Sequence, residues 1–181
     1  MKKLVFATLM CVAAMSAKAQ VLTSKTVNNV YETVSHQANG NYIFNAEWTG
    51  KDLKTMYVFE KNSDSRGLVG LTPRLKYEYT YAADGALARR VVYHWNGSQD
   101  NWACTARYDY TLANGKYCVE YSRYNNTAQN FDLPVEKMVY SLMPDDSADY
   151  VCSYHRDRPT SPYQLVSETF IPNGSLLFAE K

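Results

Sequence analysis

Four segments of the chain repeat one pattern, an aromatic-rich β-run that enters a tight turn and returns. They are Lys76-Tyr-Glu-Tyr79-Thr-Tyr-Ala-Ala-Asp84-Gly85, Arg107-Tyr-Asp-Tyr110-Thr-Leu-Ala-Asn114-Gly115, Lys137-Met-Val-Tyr140-Ser-Leu-Met-Pro-Asp145-Asp146 and Glu168-Thr-Phe170-Ile-Pro-Asn173-Gly174. The anchors Tyr79, Tyr110, Tyr140 and Phe170 stand 31, 30 and 30 residues apart. A second β-rich run follows each turn, at Leu87–Trp95, Tyr117–Tyr124, Tyr150–Tyr154 and Leu176–Phe178. A regular spacing of this length marks a series of supersecondary units. Here the unit is a β-hairpin, because glycine in Asp-Gly or Asn-Gly supplies the positive φ that the tight turn needs.

Alternation sets the register of each hairpin, since a slip of one residue turns every side chain to the other face. For Asn114-Gly115, a two-residue turn sets Tyr110 against Val119, Tyr108 against Tyr121 and Leu112 against Tyr117. The apolar residues then share one face. For Asp84-Gly85, a three-residue loop of Ala83-Asp84-Gly85 pairs Tyr81 with Leu87 and Tyr77 with Val91. The two-residue alternative would bring Tyr79 against Arg90. Two different turns are therefore expected.

Upstream, Asn39-Gly40 reads as a hairpin turn between Val30–Val34 and Tyr42–Trp48, and Thr49-Gly50-Lys51-Asp52 as a turn into Leu53–Glu60. Residues 61–72 read as a loop. Helical periodicity is absent nearly everywhere after residue 30. Residues 20–181 thus read as one all-β domain, with N-terminal strands over 20–60 and hairpin repeats over 73–181. The expectation is an antiparallel meander of about eleven strands, either a curved open sheet or barrel-like.

Residues 1–19 read as a signal peptide. Met1-Lys2-Lys3 is a basic start, Leu4 to Met15 is apolar, and Ala17-Lys18-Ala19 supplies small residues for cleavage. Removing them takes away three basic residues, so the net charge falls from +1 to −2. Thr8-Leu9-Met10 before Cys11 lacks the small residue of a lipid-anchor site. An exported protein without a membrane span or lipid anchor is expected, periplasmic or extracellular. A charge of −2 gives no surface for neutralising phosphates, which excludes nucleic acid as a partner. Three cysteines remain, Cys104, Cys118 and Cys152, so at least one thiol has no partner within the chain. No pair has metal-ligand spacing and no cofactor motif occurs.

With 16 tyrosines, period-2 aromatic stripes need an explanation. Tyr77, Tyr79, Tyr81, Tyr108, Tyr110 and Tyr121 read as core, since aromatics pack across strands while keeping a polar tip near the edge. In Trp95-Asn-Gly-Ser-Gln-Asp-Asn-Trp102, two Trp flank a polar six-residue loop. Trp95, Asn96, Asp100 and Trp102 are accordingly the ligand-binding candidates, with a glycan or protein as ligand, beside the plainer reading of a Trp pair that closes a long hairpin against the core. The Asn114-Gly115 register sets Asp109 opposite Glu120, a carboxylate pair able to raise a pKa or hold a cation. Arg107 on the same face favours an ordinary charge cluster. No Gly-x-Ser-x-Gly elbow, phosphate loop or His pair is present.

The run Tyr81-x-x-x-Gly85-x-Leu87 followed by Tyr93 resembles, distantly, the Tyr-Asp (Rhs-type) repeat, although its period of thirty is longer. Through Lys76–Tyr81, Trp95-Asn96, Trp102 and Arg107–Tyr110, residues 73–181 are more similar to a Bacteroidetes family of small secreted proteins of unknown function. The third unit departs from that pattern, with Asp145-Asp146-Ser147 where Gly is expected. The resemblance implies an exported β-rich module, carries over no catalytic residue, and implies O-glycosylation at Ser147 within Asp146-Ser147-Ala148. The expected function is a non-enzymatic binding or structural module of unknown ligand. The alternatives are a small carboxylate-dependent hydrolase using Asp109 and Glu120, and an inhibitor-like partner of another exported protein.

Overall fold

The computed structural model describes residues 22–36, 40–63, 67, 69–142 and 148–170. Helix α1 (Ser24–Ser35) precedes ten strands: β1 (Tyr42–Thr49), β2 (Asp52–Ser63), β3 (Val69–Tyr81), β4 (Leu87–Asn96), β5 (Asn101–Ala113), β6 (Lys116–Asn125), β7 (Asn130–Phe131), β8 (Glu136–Leu142), β9 (Ala148–His155) and β10 (Gln164–Phe170). The strands pair antiparallel in chain order from β1 to β10, apart from the short β7, which pairs only with the end of β6. β1 and β10 do not meet, so the meander is one open sheet. This decides between the two shapes left open by periodicity. The signal segment, Asn39, the turn at Asp145-Asp146 and the run Leu176–Phe178 lie outside the described residues.

The turn chemistry is reproduced closely. Asn114 and Gly115 have φ of 53° and 68°, and the hairpin sets Tyr110 against Val119, Tyr108 against Tyr121 and Leu112 against Tyr117. Gly50, with φ of 60°, forms with Lys51 the two-residue turn between Thr49 and Asp52. At the β3–β4 connection, hydrogen bonds from Ala82 N to Ala86 O and from Gly85 N to Ala82 O close the three-residue loop. Gly85 sits at φ of 84°. Tyr81 faces Leu87 as expected, but a bulge between Thr80 and Tyr81 then shifts the pairing. Tyr77 meets Val92 instead of Val91, and Tyr79 meets Arg90. An extra residue on one strand re-aims all that follows. The shift carries Arg89 to the face of Asp109, where Nε and Oδ1 lie 2.7 Å apart, and puts Val92 in the core.

Two N-terminal readings are corrected. Val30–Val34 is helical, part of α1, and not the first arm of a hairpin. Thr23 caps the helix, its hydroxyl accepting from Thr26 N at 3.3 Å, which satisfies one of the free amide groups of the first turn. Val27, Val30, Tyr31 and Val34 recur at helical spacing and pack on the core, which outweighs the strand preference of β-branched residues. Asn28 fastens the helix to the β1–β2 turn, its Nδ2 donating to Lys51 O at 2.8 Å and its Oδ1 accepting from Leu53 N at 3.0 Å. In the segment read as a loop, β2 and β3 remain paired, Lys61 with Leu71 and Asn62 with Gly70.

One face of the sheet carries the core. Met56 lies opposite Tyr77, Tyr77 opposite Val92, and Val92 opposite Ala106. These four, with Val58, Tyr108, Tyr110, Tyr117 and Val119, are buried. Burying a large side chain of this type contributes about 1.5–3 kcal/mol. Of the six tyrosines expected in the core, Tyr77, Tyr108 and Tyr110 are buried, while Tyr79, Tyr81 and Tyr121 are half-buried against it. Leu22 and Ser24 bond the β3–β4 turn, so α1 begins at one corner of this face and runs towards β1 and β2.

Candidate functional site

The opposite face holds the tryptophan pair. Asn96 pairs with Asn101, which shortens the connection to Gly97-Ser98-Gln99-Asp100 and makes Trp95 and Trp102 directly opposed neighbours. Their ring centroids lie 5.0 Å apart at 70°, an edge-to-face contact, the arrangement that ring quadrupoles favour. Asn96 organises the turn: Oδ1 accepts from Ser98 N at 3.1 Å and Nδ2 donates to Gln99 Oε1 at 3.0 Å. Asp100 closes it with φ of 53°, a conformation that Asp tolerates. Asn96 and Asp100 thus shape the loop, and Trp95 and Trp102 stand half-buried beneath it.

A third ring joins them. Tyr57 on β2 lies with its centroid 6.0 Å from that of Trp102. Two strands intervene between β2 and β5, about 14 Å of sheet at the usual strand spacing, so the two rings meet by reaching towards each other across β3 and β4. Between them, Lys76 Nζ sits 3.9 Å over the Tyr93 ring and 2.8 Å from Glu78 Oε1. Tyr93 donates to Glu78 Oε2 at 2.8 Å. Burial alone would raise the Glu78 carboxyl, but the hydrogen bonds from Lys76 and Tyr93 outweigh it and hold it below the ordinary range. Tyr57, Lys76, Glu78 and Tyr93 escaped the reading of the sequence. The alternation of Tyr57 and Phe59 marks a stripe, but only the β2–β3–β4 register delivers it to Trp102.

The three cysteines share this face, on β5, β6 and β9. Cys118 and Cys152 both lie opposite Val139 of β8, two strand spacings apart, about 9–10 Å. That exceeds the reach of a disulfide, and all three are free thiols. Burial pushes the Cys104 and Cys118 thiols up, away from the reactive thiolate. No group of three His, Cys, Asp or Glu among the described residues gathers at metal-binding distance.

Asp109 and Glu120 are directly opposed on β5 and β6. Asp109 is clamped by two guanidinium groups, Arg89 Nε at 2.7 Å and Arg107 Nε at 2.6 Å. Tyr163 donates to Glu120 Oε1 at 3.5 Å and to Pro134 O at 3.2 Å. Lys137 and Arg156 flank the Tyr163 ring at 4.2 and 4.3 Å. Each carboxylate therefore already serves a structural partner, and the pair makes a charge cluster on the sheet. Ser147 lies outside the described residues.

Residues 1–142 match a family of unknown function, DUF3836. No curated protein matches the chain. A crystal structure of a protein of unknown function from Bacteroides fragilis is similar, with TM-score 0.62 and 22% identity over 74% of this chain and 94% of that one. Two DUF3836 family proteins also match. The Bacteroides vulgatus protein has 23% identity and TM-score 0.46 over 51% of this chain and 89% of its own, and the Parabacteroides distasonis protein 20% and 0.48 over 55% and 89%. The first shows the fold. The chain belongs to the DUF3836 family, as the family profile spans well over half of it.

Proposed function

From that membership we propose that the protein is an exported, non-enzymatic binding module that engages a glycan at the corner formed by Tyr57, Trp95 and Trp102. The observation that carries this is the meeting of three half-buried rings beside the amide-rich turn of Asn96 to Asn101. Flat aromatic surface suits the apolar faces of sugar rings, and Asn and Gln amides suit their hydroxyls. Export rests on residues 1–19, with the periplasm or cell exterior as destination. The two arginines on Asp109 speak against a carboxylate-dependent hydrolase. The Tyr-x-Tyr…Gly hairpin is taken as the family's repeating unit, and Ser147 as its O-glycosylation site. Mass spectrometry finding only unmodified peptide across Ser147 in the exported protein removes the latter.

Titrating the protein with a panel of oligosaccharides while following Trp emission tests the main reading. A saturable change is expected for at least one glycan, with affinity falling roughly tenfold or more in Trp102→Ala, since one aromatic contact contributes about 0.5–1.5 kcal/mol beyond its buried area. Flat titrations across the panel at millimolar sugar reject it. A second reading is favoured by β10, whose residues are all exposed, Leu165, Val166 and Phe170 at 54, 66 and 57%. An open apolar edge suits addition of a partner's strand, including the role of inhibitor-like partner to another exported protein.

A further inference from the structure

Arg90 is 6% exposed on the core face. Its guanidinium lies 4.4 Å from the Tyr108 ring centroid and 5.8 Å from that of Tyr77. Its Nε–H has no hydrogen-bond partner among the described residues. The carboxylates nearest in register face away. Glu78 is bonded to Lys76 and Tyr93, and Asp109 to Arg89 and Arg107, all on the opposite face. Ring contacts offset only part of the cost of taking a cation out of water. A buried cation ordinarily has an anion beside it.

The surroundings of Arg90 have the same need. The hydroxyls of Tyr77 and Tyr117 are also buried with no hydrogen-bond partner among the described residues. The Leu22 amide approaches the Tyr117 hydroxyl but stays outside hydrogen-bond geometry. The Arg90 charge acts on the hydroxyls of Tyr77, Tyr79, Tyr110 and Tyr117, in each case against the stronger upward push of burial. The cluster thus combines one fixed positive charge with protonated hydroxyls, which can accept only through neutral oxygens, and among the described residues it holds no carboxylate bonded to Arg90.

We propose that Arg90 is the centre of an internal anion site that takes a small carboxylate, with Arg90 Nε–H and the Tyr77 hydroxyl as its principal donors. One guanidinium balances one negative charge, and its planar fork matches the two oxygens of a carboxylate. The bulge between Thr80 and Tyr81 builds the site, because without it Arg90 would not face Tyr79.

Acetate is the probe, exchanged at constant ionic strength for a bulky sulfonate buffer anion. Binding to the folded state alone raises Tm progressively with free acetate. Wild-type protein is expected to show that rise, and Arg90→Met to show none. In the wild-type protein, the buried arginine Nε–H resonance is expected to shift and saturate over the same acetate range. A Tm indifferent to acetate, an equal response in Arg90→Met, or an unmoved Nε–H resonance overturns the site. Should Arg90→Met fail to fold, the wild-type resonance decides alone.

Discussion

Hairpins β3–β4 and β9–β10 share a design of aromatic strands paired antiparallel, yet their surroundings differ sharply. In the first, Tyr77 and Val92 face each other at 1 and 2% exposure. In the second, Tyr150 and Phe170 face each other with rings 5.4 Å apart, and both remain exposed at 40 and 57%. The cross-strand pair forms in both places, since the strand register alone makes it. Burial needs neighbours on both sides and cover across the face. β3 and β4 lie inside the sheet, near the corner from which α1 runs, whereas β10 is an edge.

The largest contrast is therefore in truncation. Tyr77→Ala should cost about 3–5 kcal/mol in urea unfolding, the usual range for an emptied aromatic core site. Val166→Ala on β10 should stay within about 0.5 kcal/mol. Equal losses at the two positions would erase the distinction.

Alkaline titration separates the regions next. Burial pushes the hydroxyls of Tyr77 and Tyr140 up to about 12 from 10.0. A raised phenol stays protonated in the folded chain while the unfolded chain ionises. Its stabilisation is thus complete below pH 10 and is lost as pH rises from 10 to about 12. Unfolding free energy should fall across that window, and tyrosinate absorbance near 295 nm should lag that of the urea-unfolded chain. Coincident titrations would contradict the buried-tyrosine interior.

A more local effect belongs to the strap that ties β10 back to the sheet. Tyr163→Phe removes the hydroxyl bonds to Glu120 and Pro134 O but leaves the ring between Lys137 and Arg156. A loss of about 1 kcal/mol is expected, with faster amide exchange confined to residues 156–170. Faster exchange spreading into β3 and β4 would show that the two regions unfold as one.

Much of this was readable from residue order because it is local. Asn114-Gly115 dictates a two-residue turn, and alternation behind it sets Tyr108 against Tyr121. The Ala83-Asp84-Gly85 loop follows from the same chemistry. Among the site candidates, Trp95 and Trp102 could be placed together by symmetry about their turn. Tyr57 could not, since its approach to Trp102 depends on the pairing registers of two intervening strands.

Residue order by itself determined an antiparallel hairpin meander, with tyrosines mainly inward and two tryptophans opposed, because turns and period-2 alternation act over a few neighbouring residues. Tertiary structure decided that residues 24–35 coil into a helix, that the sheet stays open, and that a bulge brings Arg90 among the tyrosines. Each of these depends on contacts between segments distant in the chain, where the gain from packing outweighs local preference.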